Sequence, residues 1–340
     1  MSRGSVEREV SDTAAETVTL ADIEAARERI AGRVHHTPLL SSRTLGGRLG
    51  ARVWLKAENL QKTGSFKARG ALNRIATLSP EERARGIITV SAGNHAQGVA
   101  WAAAAAGVPA TVVMAETATA SKVAATRDYG AEVILFGPSS VESFAEMERL
   151  RRERGLTLVH PFDDPAIVAG QGTVGLEILD DLPELGGGAA PDTVVVPIGG
   201  GGLIAGIAVA IKERRPGVRV VGVEPRGAAA MHEGLRAGRV VRLDRVDTVA
   251  DGLTAPFAGE LTLRIVRDYV DDIVLIDDAA ILAGVRFLLE RAKLLAEPAG
   301  AAAVGALLAG AVAPAPGSNV VALVCGGNVD LDRLAGYLQD

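Results

Sequence analysis

The stretch from Thr193 to Ala208 reads TVVVPIGGGGLIAGIA. It opens as a β-branched run of strand length, passes through four glycines at 199–202, and continues from Leu203 with small and aliphatic residues at helical spacing. A strand that turns through glycine into a helix is half of a βαβ unit, and the same alternation runs outward in both directions. Strand-like runs stand at residues 53–55 (VWL), 87–90 (IITV), 110–114 (ATVVM), 132–136 (EVILF), 218–223 (VRVVGV), 272–276 (DIVLI) and 319–324 (NVVALV). Helical patterns lie between them, as at 67–78, 95–106 and 203–214. This predicts an α/β protein whose parallel sheets are covered on both faces. Residues 183–192 and 311–318 are expected as surface loops.

The 340 residues carry a net charge of −5 and are 48% hydrophobic, which is the composition of a soluble chain with one large or two medium domains. Mild acidity argues against nucleic acid as a partner. The single cysteine, Cys325, can form no internal disulfide, so a reducing cytoplasmic compartment is expected. Residues 1–18 are polar and charged, and read as a flexible arm rather than a secretory signal. The apolar stretch at 98–115 is interrupted by Gly107 and Pro109, so it reads as helix, turn and strand, and no membrane span is expected.

In such folds ligands sit beyond the carboxyl ends of the strands. Three of those ends carry unusual residues: SAGNH at 91–95, GGGG at 199–202 and CGGN at 325–328. The glycine loop can turn backbone N–H groups onto a phosphate at a helix start. A dinucleotide reading also fits it: Gly200, Gly202 and Ala205 match the nicotinamide fingerprint, with Glu224 where a ribose-binding acid would stand. That reading, a nicotinamide oxidoreductase, leaves the other segments unexplained. Only six of the 36 basic residues are lysines, and one of them, Lys67, opens a helix in TGSFKARGA (63–71). The helix dipole opposes a cation there and lowers the pKa of an amine. A nucleophilic lysine facing a phosphate cup points to pyridoxal phosphate.

TGSFKARGA, SAGNHAQGVA, VVPIGGGGLIAGIA, ADGL, LLAEPAGA and CGGNVD occur in the order found in the pyridoxal-phosphate serine/threonine dehydratase family, which the chain resembles from about residue 19 to 338. The resemblance implies two open, twisted, mostly parallel sheets of the tryptophan synthase β-like kind (fold type II), with pyridoxal phosphate in the cleft between domains. It implies a large domain of residues 19–79 plus 164–340 and a smaller inserted one at 80–163. Lys67 would be the catalytic residue and carry the cofactor as a Schiff base, with Phe66 packed on its ring. Asn94 would bond the ring hydroxyl, and the amides of Gly199, Gly200, Gly201, Gly202 and Leu203 would hold the phosphate. Ser91, Gly93, Asn94 and His95 would receive the carboxylate of a small amino-acid substrate. Cys325 stands where the family usually has a serine facing the pyridine nitrogen.

By the same resemblance the expected activity is an ammonia-lyase on L-threonine and/or L-serine. The alternatives are another β-hydroxy amino acid, a serine racemase, or a non-catalytic carrier of the cofactor. Racemases of this group use the second serine of SSGNH, and here Ala92 replaces it. Ala68 follows the lysine where cysteine and threonine synthases usually have aspartate. The cation site of many relatives would need acids or carbonyls at Glu224, Ala228 and Ala230. The position at 228 needs only a backbone carbonyl, but Ala230 stands where an acid is needed, and that one lost carboxylate leaves no metal expected and Glu224 equally readable as a solvated strand-end acid. Glu297-Pro298 reads as a helix start that also lies near the cofactor in the family, and His35-His36 as structural. A homodimer is expected, and, because the chain ends soon after CGGNVD, no C-terminal regulatory domain.

Overall fold

The computed structural model describes residues 17–339. Ten strands run in chain order: β1 (Leu39–Ser41), β2 (Arg52–Ala57), β3 (Ile87–Val90), β4 (Ala110–Met114), β5 (Glu132–Leu135), β6 (Thr157–Leu158), β7 (Thr193–Pro197), β8 (Arg219–Pro225), β9 (Asp272–Ile276) and β10 (Asn319–Val324). Six form one sheet in the order β1-β2-β10-β7-β8-β9, and four form a second in the order β5-β4-β3-β6. Among the described residues only β1 runs antiparallel, against β2; every other pairing between these strands is parallel. The strands of the second sheet all lie within residues 80–163 and those of the first all lie outside that range.

Alternation along the central strands builds two cores on the larger sheet. Val194 and Val196 of β7 face a core shared with the helices Pro165–Leu185 and Gly202–Arg214, while Val195 faces another shared with Asp278–Phe287 and Pro298–Leu308. β7 and β10 are buried along their whole length, which is why both read as unbroken apolar runs. The first helix pair crosses very closely. A Cβ on Gly206 would lie 2.2 Å from the carbonyl oxygen of Val168, so only glycine permits that approach.

The alternation located eight of the ten strands. β1 and β6 were missed because two or three residues are too short a window for periodicity. Two other expectations are corrected. The helix from Pro165 runs to Leu185, so residues 183–185 of the expected loop are helical; Pro183 sits in the last turn, where its missing N–H forfeits one intrahelical bond and the helix ends two residues later. Val18, assigned to the arm, is buried in the larger core, while residues 1–16 of that arm lie outside the described residues. No described helix is long and apolar enough to cross a membrane, and residues 98–115 form helix, a left-handed turn at Gly107, and β4.

Candidate active site

The carboxyl ends of β3, β4, β7 and β10 open onto one cleft of about 500 Å³. Every site residue singled out in the sequence lines it: Phe66, Lys67, Ser91, Gly93, Asn94, His95, Gly199, Gly200, Gly201, Gly202, Leu203 and Cys325.

Lys67 is the first residue of the helix Lys67–Ala76. The preceding turn is stitched to the end of β10, where the Phe66 N–H donates to the Cys325 carbonyl at 3.2 Å and Ser65 pairs with Gly326. The Lys67 ammonium donates to the Pro161 carbonyl at 2.7 Å and lies 5.2 Å from the centre of the Phe66 ring. Among the described residues it has no carboxylate partner. Burial lowers its pKa to about 8, so dehydration is the main cause rather than the helix dipole invoked from sequence. Two residues on, the sequence reading missed Arg69, which is fully buried. Its guanidinium forks onto Glu58 at 2.7 and 2.9 Å and onto Glu177 at 2.6 and 2.9 Å, tying the lysine-bearing helix to the segment after β2 and to the helix Pro165–Leu185.

The glycine loop is shaped by what surrounds it. Gly201 has φ +94° and a Cβ there would meet Met231 at 2.4 Å; a Cβ on Gly200 would meet the Phe162 ring at 2.2 Å. Thr262 donates its hydroxyl to the Gly200 carbonyl at 2.8 Å. Among the described residues, the N–H groups of Gly199 to Leu203 meet no protein acceptor. Five free amides at the start of a helix form an anion cup.

Gly93 precedes the helix Asn94–Ala106, and its N–H donates to the Ser91 hydroxyl at 3.1 Å. The His95 ring is buried beside Lys67, and its Nε2 lies 3.1 Å from the Val159 carbonyl. Burial, with the Lys67 charge second, holds that imidazole well below its usual pKa, so it is neutral, donates through Nε2–H and keeps an unpartnered lone pair on Nδ1. The Cys325 thiol is also buried, and burial pushes its pKa up so that it stays protonated. Asn94 donates to Glu297 at 2.5 Å and accepts from Asn328 at 2.8 Å.

Two features of the cleft escaped the sequence reading, and a third, Glu297, was singled out there as a helix start near the cofactor but given no role. Glu297 is buried in it, with burial raising its carboxyl pKa to about 7, and makes no cap bond to the helix it precedes. Asn328 stands behind Asn94. Across the mouth, Lys122 and Arg333 both reach Asp251, at 3.3 and 2.5 Å. Glu224 corrects the earlier reading directly. It is not solvated: both carboxylate oxygens accept backbone N–H groups, of Met231 and His232, at 2.9 Å each, capping the helix Ala230–Ala237. That placement also removes it as a ribose-binding acid. His36 pairs with Asp181 and the His35 ring meets the Leu60 carbonyl, so neither faces the cleft.

A family model described as "Pyridoxal-phosphate dependent enzyme" matches residues 30–326. The chain belongs to the pyridoxal-phosphate-dependent enzyme family. The L-threonine ammonia-lyase of Thermotoga maritima is 46% identical over 93% of this chain and 77% of that protein. The catabolic L-threonine dehydratase of Staphylococcus aureus is 45% identical over 96% and 93%. Among solved structures, maize serine racemase superposes with a TM-score of 0.88 at 38% identity, covering 95% of this chain and 97% of that one. The two mostly parallel sheets are those of this family's fold type II, and its cofactor is pyridoxal phosphate.

The residues present fit that cofactor. The five free amides match a phosphate, the dehydrated amine matches an aldehyde, and the cleft between them has the volume of a small-ligand site.

Proposed function

We propose that this chain is an L-threonine ammonia-lyase that also takes L-serine, giving a 2-oxo acid and ammonia. The observation that carries this reading is the meeting in one cleft of a dehydrated lysine without a carboxylate partner, a cup of free amides, and the helix start at Asn94. Relatives at 45% and 46% identity, named as threonine dehydratase and ammonia-lyase, supply the substrate.

Pyridoxal phosphate, when bound, supplies the electron sink that acidifies the α C–H bond of an amino acid joined to it. Lys67 would hold it through the cofactor's aldehyde, and the Lys67 Nζ would serve as the base that accepts the α proton of the substrate; a pKa near 8 suits a general base at neutral pH. The amides of residues 199–203 would hold the phosphate, Phe66 would pack on the ring, and Asn94 would donate to its hydroxyl. Cys325 would meet the ring nitrogen as a neutral thiol. Ser91, Gly93, Asn94 and His95 take the substrate carboxylate at the start of the helix Asn94–Ala106. The β hydroxyl would depart as water, its added proton balancing the one Lys67 takes from the α carbon, and that water is consumed again when the released enamine tautomerises and hydrolyses to 2-oxobutanoate or pyruvate and ammonia.

Residues 19–79 with 164–340 act here as the cofactor domain and 80–163 as the smaller domain facing it. The working form is taken to be a cytoplasmic homodimer. Exposed Leu60 and Leu295, on segments joined by the Asn59 to Leu295 bond of 3.0 Å, give an apolar patch that suits one; a monomer mass by light scattering removes that part. Ala92 lines the cleft where a racemase would need a proton donor, and a methyl group cannot serve. The test is 2-oxo acid formation from L-threonine and L-serine side by side, with chiral analysis of residual serine. Product from either and no D-serine are expected; rapid racemisation without 2-oxo acid would overturn the reading. Because Glu224 is spent on two backbone amides, chelation of divalent cations should leave the rate unchanged, and loss restored by Mg²⁺ would contradict this.

A further inference from the structure

We propose that Glu297 is a positioning residue for the cofactor ring: together with Asn328 it clamps the Asn94 amide so that one N–H of Asn94 is left for the cleft. The inference rests on the reading of Asn94 given under Proposed function and assigns a role to two residues that reading leaves idle.

A side-chain amide has one carbonyl oxygen and two N–H donors, and it can flip. The contacts remove that freedom in sequence. Asn328 Nδ2 donates to the Thr63 carbonyl at 2.7 Å and to Asn94 Oδ1 at 2.8 Å, so both of its N–H groups are used. Asn94 must therefore present its oxygen to Asn328. Its Nδ2 then points the other way and donates to Glu297 Oε1 at 2.5 Å. One N–H of Asn94 remains, and Asn94 lines the cleft. Flipped, the amide would offer a carbonyl oxygen to the ring oxygen and repel it.

The sequence has cleared space for this chain of groups. A Cβ on Gly326 would sit 2.3 Å from Glu297 Oε1, and one on Gly64 2.4 Å from Asn328 Oδ1. Glu297 precedes the helix Pro298–Leu308, where an acid commonly caps free N–H groups, yet it makes no cap bond. Its carboxyl is instead turned to Asn94, with Lys122, Asp251 and the Cys325 thiol as its charged or titratable neighbours. Burial raises the carboxyl to about 7, and an oxygen able to accept from Asn94 is present on either side of that value.

The test reads the visible absorbance band of the lysine-bound cofactor and the dissociation constant for pyridoxal phosphate in Asn94→Ala, Glu297→Ala, Glu297→Gln and the Asn94→Ala/Glu297→Ala pair. Asn94→Ala should move the band and weaken cofactor binding at least fivefold. Glu297→Ala should reproduce most of that band shift, Glu297→Gln should restore the wild-type band, and the double variant should match Asn94→Ala alone. Asn328→Leu, which unlocks the clamp from its other side, should shift the band as Glu297→Ala does and serves if that variant does not fold. A wild-type band in Glu297→Ala or Asn328→Leu, or additive shifts in the double variant, overturns the clamp while leaving the assigned role of Asn94 intact. No effect of Asn94→Ala overturns that role, and the clamp with it.

Discussion

Lys67 and Arg69 leave the same helix into opposite surroundings. Both are cations enclosed by protein. Burial works to lower the Arg69 pKa, but Glu58 and Glu177 outweigh it and hold the guanidinium above its ordinary range. Lys67 meets the same dehydration with a carbonyl oxygen and a neutral thiol as neighbours, and its pKa falls to about 8. The difference lies in whether the fold supplies a counter-ion. Where it does, the cation becomes a rigid tie between two helices; where it withholds one, the cation becomes an amine that can bond an aldehyde and move a proton.

The comparison breaks most visibly on turnover. Lys67→Ala should abolish 2-oxo acid production, a loss of at least about 10⁴-fold, because both the covalent hold on the cofactor and the base disappear. It should also remove the visible absorbance of the lysine-bound cofactor. A variant that keeps its turnover would refute the site.

Stability is the next and sharper measure, since the two cations should respond with opposite sign. Arg69→Met leaves Glu58 buried without a counter-ion and Glu177 with Lys56 as its remaining cation, so denaturant unfolding of the apoprotein should show a loss of about 3–5 kcal/mol. Lys67→Met removes a dehydrated charge that the apoprotein tolerates at a cost. Since the folded pKa lies below the unfolded one, the folded state is penalised at pH 7 and relieved as pH rises from about 8 to 10.5. The variant should therefore gain about 1–3 kcal/mol at pH 7, and its advantage should fade out as the pH passes the unfolded value of 10.5. Equal destabilisation by both substitutions would show that the contrast is packing and not charge.

Lys67 was legible in the sequence because it is one of only six lysines and opens a helix in a run of small residues, and the glycine loop because four glycines stand between a strand and a helix start. Arg69 was not, although it sits in the same motif. Its partners lie 11 and 108 residues away and only the packing of the helices brings them together. Glu224 and Glu297 show the same boundary. Each follows a recognisable signal, a strand end and a Glu-Pro pair, and each is dehydrated to a pKa of about 7. Which one faces backbone amides and which one faces the cleft is decided by contacts with Met231 and His232 in one case and Asn94 in the other. Local patterns locate strands and turns; side-chain partners across the fold follow from tertiary packing that single-chain periodicity does not encode.

The smallest effect expected is a pH dependence of about tenfold, and it tests the amine itself. In the apoprotein, Lys67 is neutral above about pH 8 and protonated below it. Only the neutral amine attacks an aldehyde, so the rate of pyridoxal phosphate capture should climb about tenfold between pH 7 and 9 and then level off. An ordinary lysine would keep climbing beyond pH 10. Arg69→Lys offers the counterpart within the same helix: a lysine at that position, set between Glu58 and Glu177, should stay protonated throughout and capture no cofactor when combined with Lys67→Ala. If that relocated lysine reacts with pyridoxal phosphate, or if capture at Lys67 shows no plateau, withholding the carboxylate is not what makes the amine reactive.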